Sequence, residues 1–173
     1  IQMTGEGANY GESSNGLLTY VTGGSKDEDR TLVWVDRNGK TEPLPAPDRT
    51  YEIPRISPDG SQVAFMIAGA KVDLWVYSLA RGTASRLASE GSSQFPLWTP
   101  DGKRLTYRAT RGGTRNVFWR MADGTGSEER LTTGDLSETP GSWSGDGQWL
   151  AYYQNDPATG ADIWALPSGG DRK

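Results

Sequence analysis

The chain has 173 residues, with 18 Lys and Arg against 22 Asp and Glu, and it contains no Cys and no His. A net charge of −4 argues against nucleic acid as the main partner, because phosphate binding needs a basic footprint. The missing Cys and His exclude disulfides, thiol catalysis, the Ser-His pair and the commonest transition-metal ligand.

The chain opens with Ile1-Gln2-Met3-Thr4, which reads as a short strand. The first unit then runs from about residue 8 to 49. Tyr10-Gly11-Glu12 leads to an Asn15-Gly16 turn, and Leu18-Thr19-Tyr20 opens the next strand. Asp27-Glu28-Asp29 lacks the spacing of a calcium loop and reads as a solvated hairpin tip. Thr31–Val35 is a third strand, Arg37-Asn38-Gly39 a turn, and a short fourth strand is expected around Leu44.

The second unit, residues 50–92, begins Glu52-Ile53-Pro54-Arg55-Ile56-Ser57-Pro58-Asp59-Gly60 and continues into Val63-Ala64-Phe65. Pro presets φ, Asp bonds its own backbone and Gly accepts positive φ, so the run reads as strand, tight turn, strand. Asp73–Tyr77 and a strand around Leu87 complete the unit. The third unit, 93–136, repeats the pattern from Gln94-Phe95-Pro96-Leu97-Trp98 through Thr99-Pro100-Asp101-Gly102 to Leu105-Thr106-Tyr107. The fourth, 137–173, starts Glu138-Thr139-Pro140-Gly141-Ser142-Trp143 and carries one extra residue before its Ser144-Gly145-Asp146-Gly147 turn. It ends after its third strand, Asp162–Leu166.

The aliphatic–small–aromatic triplets at 18, 63, 105 and 150 recur at spacings of 45, 42 and 45 residues. That is the period of a propeller blade, a four-stranded antiparallel sheet that buries both faces only by stacking on its neighbours. The fold class is therefore all-β: a β-propeller of four four-stranded blades in a single domain. Strand 1–4 resembles the fourth-strand ending Ser85-Arg86-Leu87-Ala88, and it is expected to complete the last blade and remove its open edge. Four blades are satisfied as a small closed ring, as half of an eight-bladed ring of two chains, or as part of a larger propeller. The last predicts a large exposed apolar patch.

The run Pro-x-apolar-Ser/Thr-Pro-Asp-Gly-x-x-apolar-Ala/Thr-aromatic, followed by Asp/Asn-apolar-Trp, resembles the TolB-like propeller repeat, a relative of the WD repeat. The likeness covers roughly residues 8–173. It implies a module that binds proteins or stands beside a hydrolase, and a periplasmic or extracellular location. The family usually uses six blades, and four are present here.

Function is sought where the innermost strands begin, since polar groups converge there on the axial channel. Glu52, Gln94 and Glu138 each lie two residues before the Pro of that strand. Glu12 stands where Ile56, Trp98 and Trp143 are otherwise apolar, and it is a candidate to join them. These four are the expected ligand-binding residues. No catalytic residue, metal site or cofactor is assigned. The expected role is a non-catalytic interaction or sensing module with a protein or small-ligand partner. The alternatives are a carboxylate-dependent hydrolase or lyase or an enzyme's accessory propeller, and a self-assembling propeller fragment, with a homodimer among the partners.

Two further features have bland readings beside functional ones. Lys103, Arg104, Arg108, Arg111, Arg115 and Arg120 form a basic run that reads as a solvated hairpin or as a face for an acidic partner. Trp149 replaces the polar Gln62 and Arg104 of the other units, which suggests an interface anchor.

Overall fold

The computed structural model describes residues 10–12, 18–21, 30–88 and 91–169. Among them there is no helix. Fifteen strands form four sheets. Sheet 1 holds β1 (Tyr10–Glu12), β2 (Leu18–Val21), β3 (Leu32–Val35) and β4 (Thr41–Pro43). Sheet 2 holds β5 (Tyr51–Ile56), β6 (Gln62–Ile67), β7 (Asp73–Ser78) and β8 (Thr83–Ala88). Sheet 3 holds β9 (Ser93–Trp98), β10 (Arg104–Arg111), β11 (Thr114–Met121) and β12 (Glu129–Arg130). Sheet 4 has three described strands, β13 (Ser137–Trp143), β14 (Trp149–Asp156) and β15 (Gly160–Pro167). Every sheet is antiparallel with its strands in chain order. The expected strand at residues 1–4 and the acidic tip at 27–29 lie outside the described residues.

The turns follow from their residues. Gly60, Gly102 and Gly147 take φ of 73°, 67° and 70°, a region that disfavours any Cβ. Asp59 accepts hydrogen bonds from Ser57 Oγ at 2.5 Å and Ser61 N at 3.0 Å. Asp101 does the same with Thr99 Oγ1 and Lys103 N, and Asp146 with Ser144 Oγ and Gln148 N. These carboxylates are engaged in closing their own turns.

Each sheet packs on the next through alternating side chains. Leu32 and Leu44 of sheet 1 meet Val63, Phe65 and Tyr77 of sheet 2. Ala64, Leu74 and Val76 of sheet 2 meet Trp98, Leu105, Tyr107 and Phe118 of sheet 3. Val117 and Leu131 of sheet 3 meet Leu150 and Tyr152 of sheet 4. In this way the aliphatic and aromatic members of the triplets at 63, 105 and 150 face the preceding sheet, and the small middle residues Ala64 and Thr106 face the following one. Each fully buried aliphatic or aromatic side chain contributes about 1.5–3 kcal/mol. Indole groups stitch the seams: Trp98 Nε1 donates to Arg55 O at 2.9 Å, and Trp143 Nε1 to Thr106 Oγ1 at 3.0 Å.

Sheet 4 is the last of the described sheets. Its cross-strand pairs Trp149–Pro167, Ala151–Ala165 and Tyr153–Ile163 lie on the side away from sheet 3. Ile163 is 84% exposed there. Among the described residues no strand of sheet 4 packs extensively on sheet 1.

Candidate binding site at the start of the innermost strands

The innermost strand of sheets 2, 3 and 4 contains a bulge near its start, where two residues oppose one on the neighbouring strand. In sheet 2 the unpaired residues are Ile53 and Pro54, between the pairs Glu52–Met66 and Arg55–Ala64. In sheet 3 they are Phe95 and Pro96, between Gln94–Arg108 and Leu97–Thr106. Proline lacks the N–H that a ladder needs, which suits it to this place. Ile53 and Phe95 take positive φ of 49° and 58°, unusual for a β-branched or bulky residue.

Sheet 4 departs from this plan. Its bulge falls at Gly141, between Pro140–Tyr152 and Ser142–Ala151. A Cβ on Gly141 would stand 3.1 Å from Ala151 O. The extra residue shifts everything before it by one place. Thr139, paired with Tyr153, occupies the row of Glu52 and Gln94. Glu138 occupies the row of Tyr51 and Ser93, residues that are nearly fully buried.

Glu52, Gln94 and Glu138 therefore lie at the starts of three successive innermost strands but in different surroundings. Glu52 is partly exposed, and no hydrogen bond or ion pair engages its carboxylate among the described residues. Gln94 Oε1 accepts a short hydrogen bond from Arg108 Nη2. Glu138 is 2% exposed. It accepts from Asn116 Nδ2 at 2.7 Å and Gln154 Nε2 at 3.2 Å. Asn116 Nδ2 also donates to Gly134 O, and Arg130 donates to Asn116 Oδ1 at 2.6 Å. Gly134 lies close against this carboxylate: a Cβ there would stand 2.5 Å from Glu138 Oε1 and would have to displace it. Burial, and then the Glu138 charge, push the Tyr152 phenol up.

Glu12 is not brought to this row. Its backbone pairs with Leu18, matching Ile56–Val63, Trp98–Leu105 and Trp143–Leu150. That row is at the far end of the innermost strand, about 10–13 Å along from the Glu52 row at ~3.3 Å per residue.

Arg108, Phe95 and Thr139 lie beside Gln94 and were not among the expected ligand-binding residues. Arg108 Nη1 donates to Thr139 Oγ1 at 3.1 Å, and its guanidinium lies 4.5 Å from the Phe95 ring centroid. Arg108 is the cross-strand partner of Gln94, a relation that only the strand register reveals. The rest of the basic run is largely engaged elsewhere. Arg111 pairs with Glu128 at 2.7 Å, Arg104 stacks on Trp119, and Arg120 donates to Leu87 O. At the start of the third strands, Asp73 pairs with Arg86 and Asp162 accepts from Thr159, while Asn116 alone of the three reaches across a seam. No group of three or more acidic residues is placed to hold a metal ion among the described residues. No helix among them is long and apolar enough to cross a membrane.

A family model described as the TolB β-propeller domain matches residues 14–165. The chain belongs to that family. Over 101 residues, 57% of the chain, it is 32% identical to a protein TolB homolog of Chlorobium chlorochromatii, covering 22% of that protein. It is also 32% identical over 117 residues, 65% of the chain, to tricorn protease homolog 1 of Streptomyces coelicolor, covering 11% of it. The crystal structure of TolB from Acinetobacter baumannii matches 94% of the chain and 44% of its own length, at 22% identity and a TM-score of 0.69. This TolB-type propeller chain thus spans less than half the length of each of these proteins.

Proposed function

We propose that this TolB-type propeller chain is a non-catalytic interaction or sensing module that receives a protein or small ligand at the mouth of its axial channel. The observation that carries the reading is the row at the start of the innermost strands. It combines an unengaged carboxylate, Glu52, with an amide and a guanidinium, Gln94 and Arg108, on successive blades. Convergent polar groups at a channel are what a binding site requires. Glu138 serves the same region indirectly, by holding the seam between sheets 3 and 4. A periplasmic or extracellular setting goes with the TolB family and is part of the proposal.

The likeness to a tricorn protease homolog favours a second reading, an accessory propeller within a larger enzyme. In that case the chain supplies docking or gating and no chemistry of its own.

Amide-shift mapping with a panel of short peptides and small metabolites tests the first reading. Shifts are expected at residues 52, 94 and 139, with Glu52→Gln weakening the hits and Ile163→Glu leaving them unchanged. Shifts confined to the outer strands would reject it. A hydrolytic activity abolished by Glu52→Gln with Glu138→Gln would replace it with the carboxylate-enzyme reading.

A further inference from the structure

We propose that Arg108 is the receptor for an oxyanion group, carboxylate or phosphate, on the ligand that enters at the innermost strand starts. The inference rests on the channel-mouth reading and adds the chemical class of what binds there.

Arg108 sits at the seam between sheets 3 and 4. One arm of its guanidinium donates to Gln94 on the innermost strand of sheet 3, the other to Thr139 on that of sheet 4. Phe95 supports its flat face at 4.5 Å. Phe95 lies in the bulge, with φ of 58° where bulky residues rarely adopt it. The head group is therefore held in one orientation before any ligand arrives, which reduces the ordering cost of binding.

What Arg108 lacks is a counter-charge. Both of its hydrogen-bond acceptors are neutral, and no carboxylate pairs with it among the described residues. Arg111 and Arg86, by contrast, each have a carboxylate at 2.7 Å or less. Arginine carries five N–H groups, and Gln94 and Thr139 use two of them. Half-burial, and then the charge of Arg115, push the Arg108 pKa down, so its positive charge is poorly compensated. A planar guanidinium with free N–H groups matches an oxyanion in geometry and in charge.

The feature is confined to one seam. Met66 fills the corresponding place in sheet 2, where its sulfur accepts from Phe95 N at 3.2 Å. Tyr153 fills it in sheet 4. With Glu52 one blade back, the row presents a free carboxylate and then an uncompensated cation. A ligand with an anionic end would enter in one orientation, its anion toward sheets 3 and 4.

The test uses three probes on the 173-residue chain: inorganic phosphate, N-acetyl-diglycine with a free carboxylate, and the same dipeptide as its amide. Side-chain Nε shifts of Arg108 and amide shifts of Gln94 and Thr139 report binding. The carboxylate or phosphate should move these signals and the amide should not. Arg108→Gln should weaken the anionic probe by about tenfold or more, and Arg108→Lys should restore part of that, since it returns the charge without the fork. Arg115 is exposed, so Arg115→Gln keeps the fold and should weaken binding by a smaller factor. Response to phosphate alone assigns the site to a phosphate-bearing ligand, and response to the carboxylate alone to a peptide or acid. Equal response to carboxylate and amide, or no loss in a folded Arg108→Gln chain, overturns the proposal. Neutral ligands that still shift residue 52 in that case leave the channel-mouth reading standing; no shift anywhere in the row removes both.

Discussion

The outward faces of sheets 2 and 4 carry the same repeat and end up in opposite environments. Leu32, Leu74 and Val117 are 1%, 0% and 0% exposed, and Ile163, in the same place on sheet 4, is 84% exposed. Ala64 and Val76 beside Leu74 are buried, and Ala165 beside Ile163 is exposed. The residues are comparably apolar; what differs is that a blade follows sheet 2 and, among the described residues, none follows sheet 4. In a stacked-sheet protein the repeat determines what each face can bury, and the neighbour determines whether it does. Trp149 sharpens the contrast, because a large aromatic stands half exposed on the open face where the other blades have Gln62 and Arg104.

The strongest way to break this comparison is truncation at both places. Leu74→Ala should cost about 2–5 kcal/mol in urea unfolding, since it empties a closed seam. Ile163→Ala should stay within about 0.5 kcal/mol. A large, concentration-dependent cost at Ile163 would mean that another surface covers sheet 4 in solution.

The buried Glu138 network should respond less. Asn116→Ala removes the 2.7 Å donor to a buried carboxylate and should cost about 1.5–3 kcal/mol. The seam indole comes next. Trp98→Phe keeps most of the packing but loses the hydrogen bond to Arg55 O, at about 0.5–1.5 kcal/mol. Trp149→Phe on the open face, measured in the same way, should fall within about 0.5 kcal/mol.

The blades were legible in the sequence because three signals agree in each: Asp-Gly turn chemistry, the aliphatic–small–aromatic triplet, and a 42–45-residue period. The third-strand and fourth-strand positions followed from the same count. The site was legible only in part. Counting back from proline places Glu138 with Glu52 and Gln94, but a bulge can take up either Pro-containing pair of residues. In sheet 4 Gly141 is the unpaired residue and Pro140 stays in the ladder register. The signal for this was the one additional residue between Pro140 and Trp143, compared with Pro54 to Ile56 and Pro96 to Trp98. Arg108 was hidden differently. Six basic residues within eighteen positions look alike in sequence, and only cross-strand register separates the one facing Gln94 from those paired with Glu128 or stacked on Trp119. Ile163 gave no sign of exposure, because exposure here depends on a neighbour and not on the blade itself.

The smallest expected effect tests the feature that the repeats share regardless of neighbours, the turn carboxylates. Hydrogen bonds hold Asp59, Asp101 and Asp146 below the usual Asp value: first the Ser57 hydroxyl for Asp59, the Thr99 hydroxyl for Asp101 and the Ser144 hydroxyl for Asp146. A carboxylate with a depressed folded-state pKa stabilises the fold above its unfolded value, about 3.9, and that contribution is lost as pH falls through the folded value. The urea midpoint should therefore be flat above about pH 5 and should decline below about pH 4. Replacing all three residues with Asn should lower the neutral-pH midpoint slightly and flatten the acid decline. Because Asp146 serves the blade with the open face and Asp59 and Asp101 serve closed seams, the single variants separate turn chemistry from seam packing. Equal changes in acid slope from Asp146→Asn and Asp101→Asn would place the effect in the turn itself. A slope change confined to Asp59→Asn and Asp101→Asn would place it in the contact each turn's proline makes with the turn of the next blade, Pro58 with Gly102 and Pro100 with Gly147.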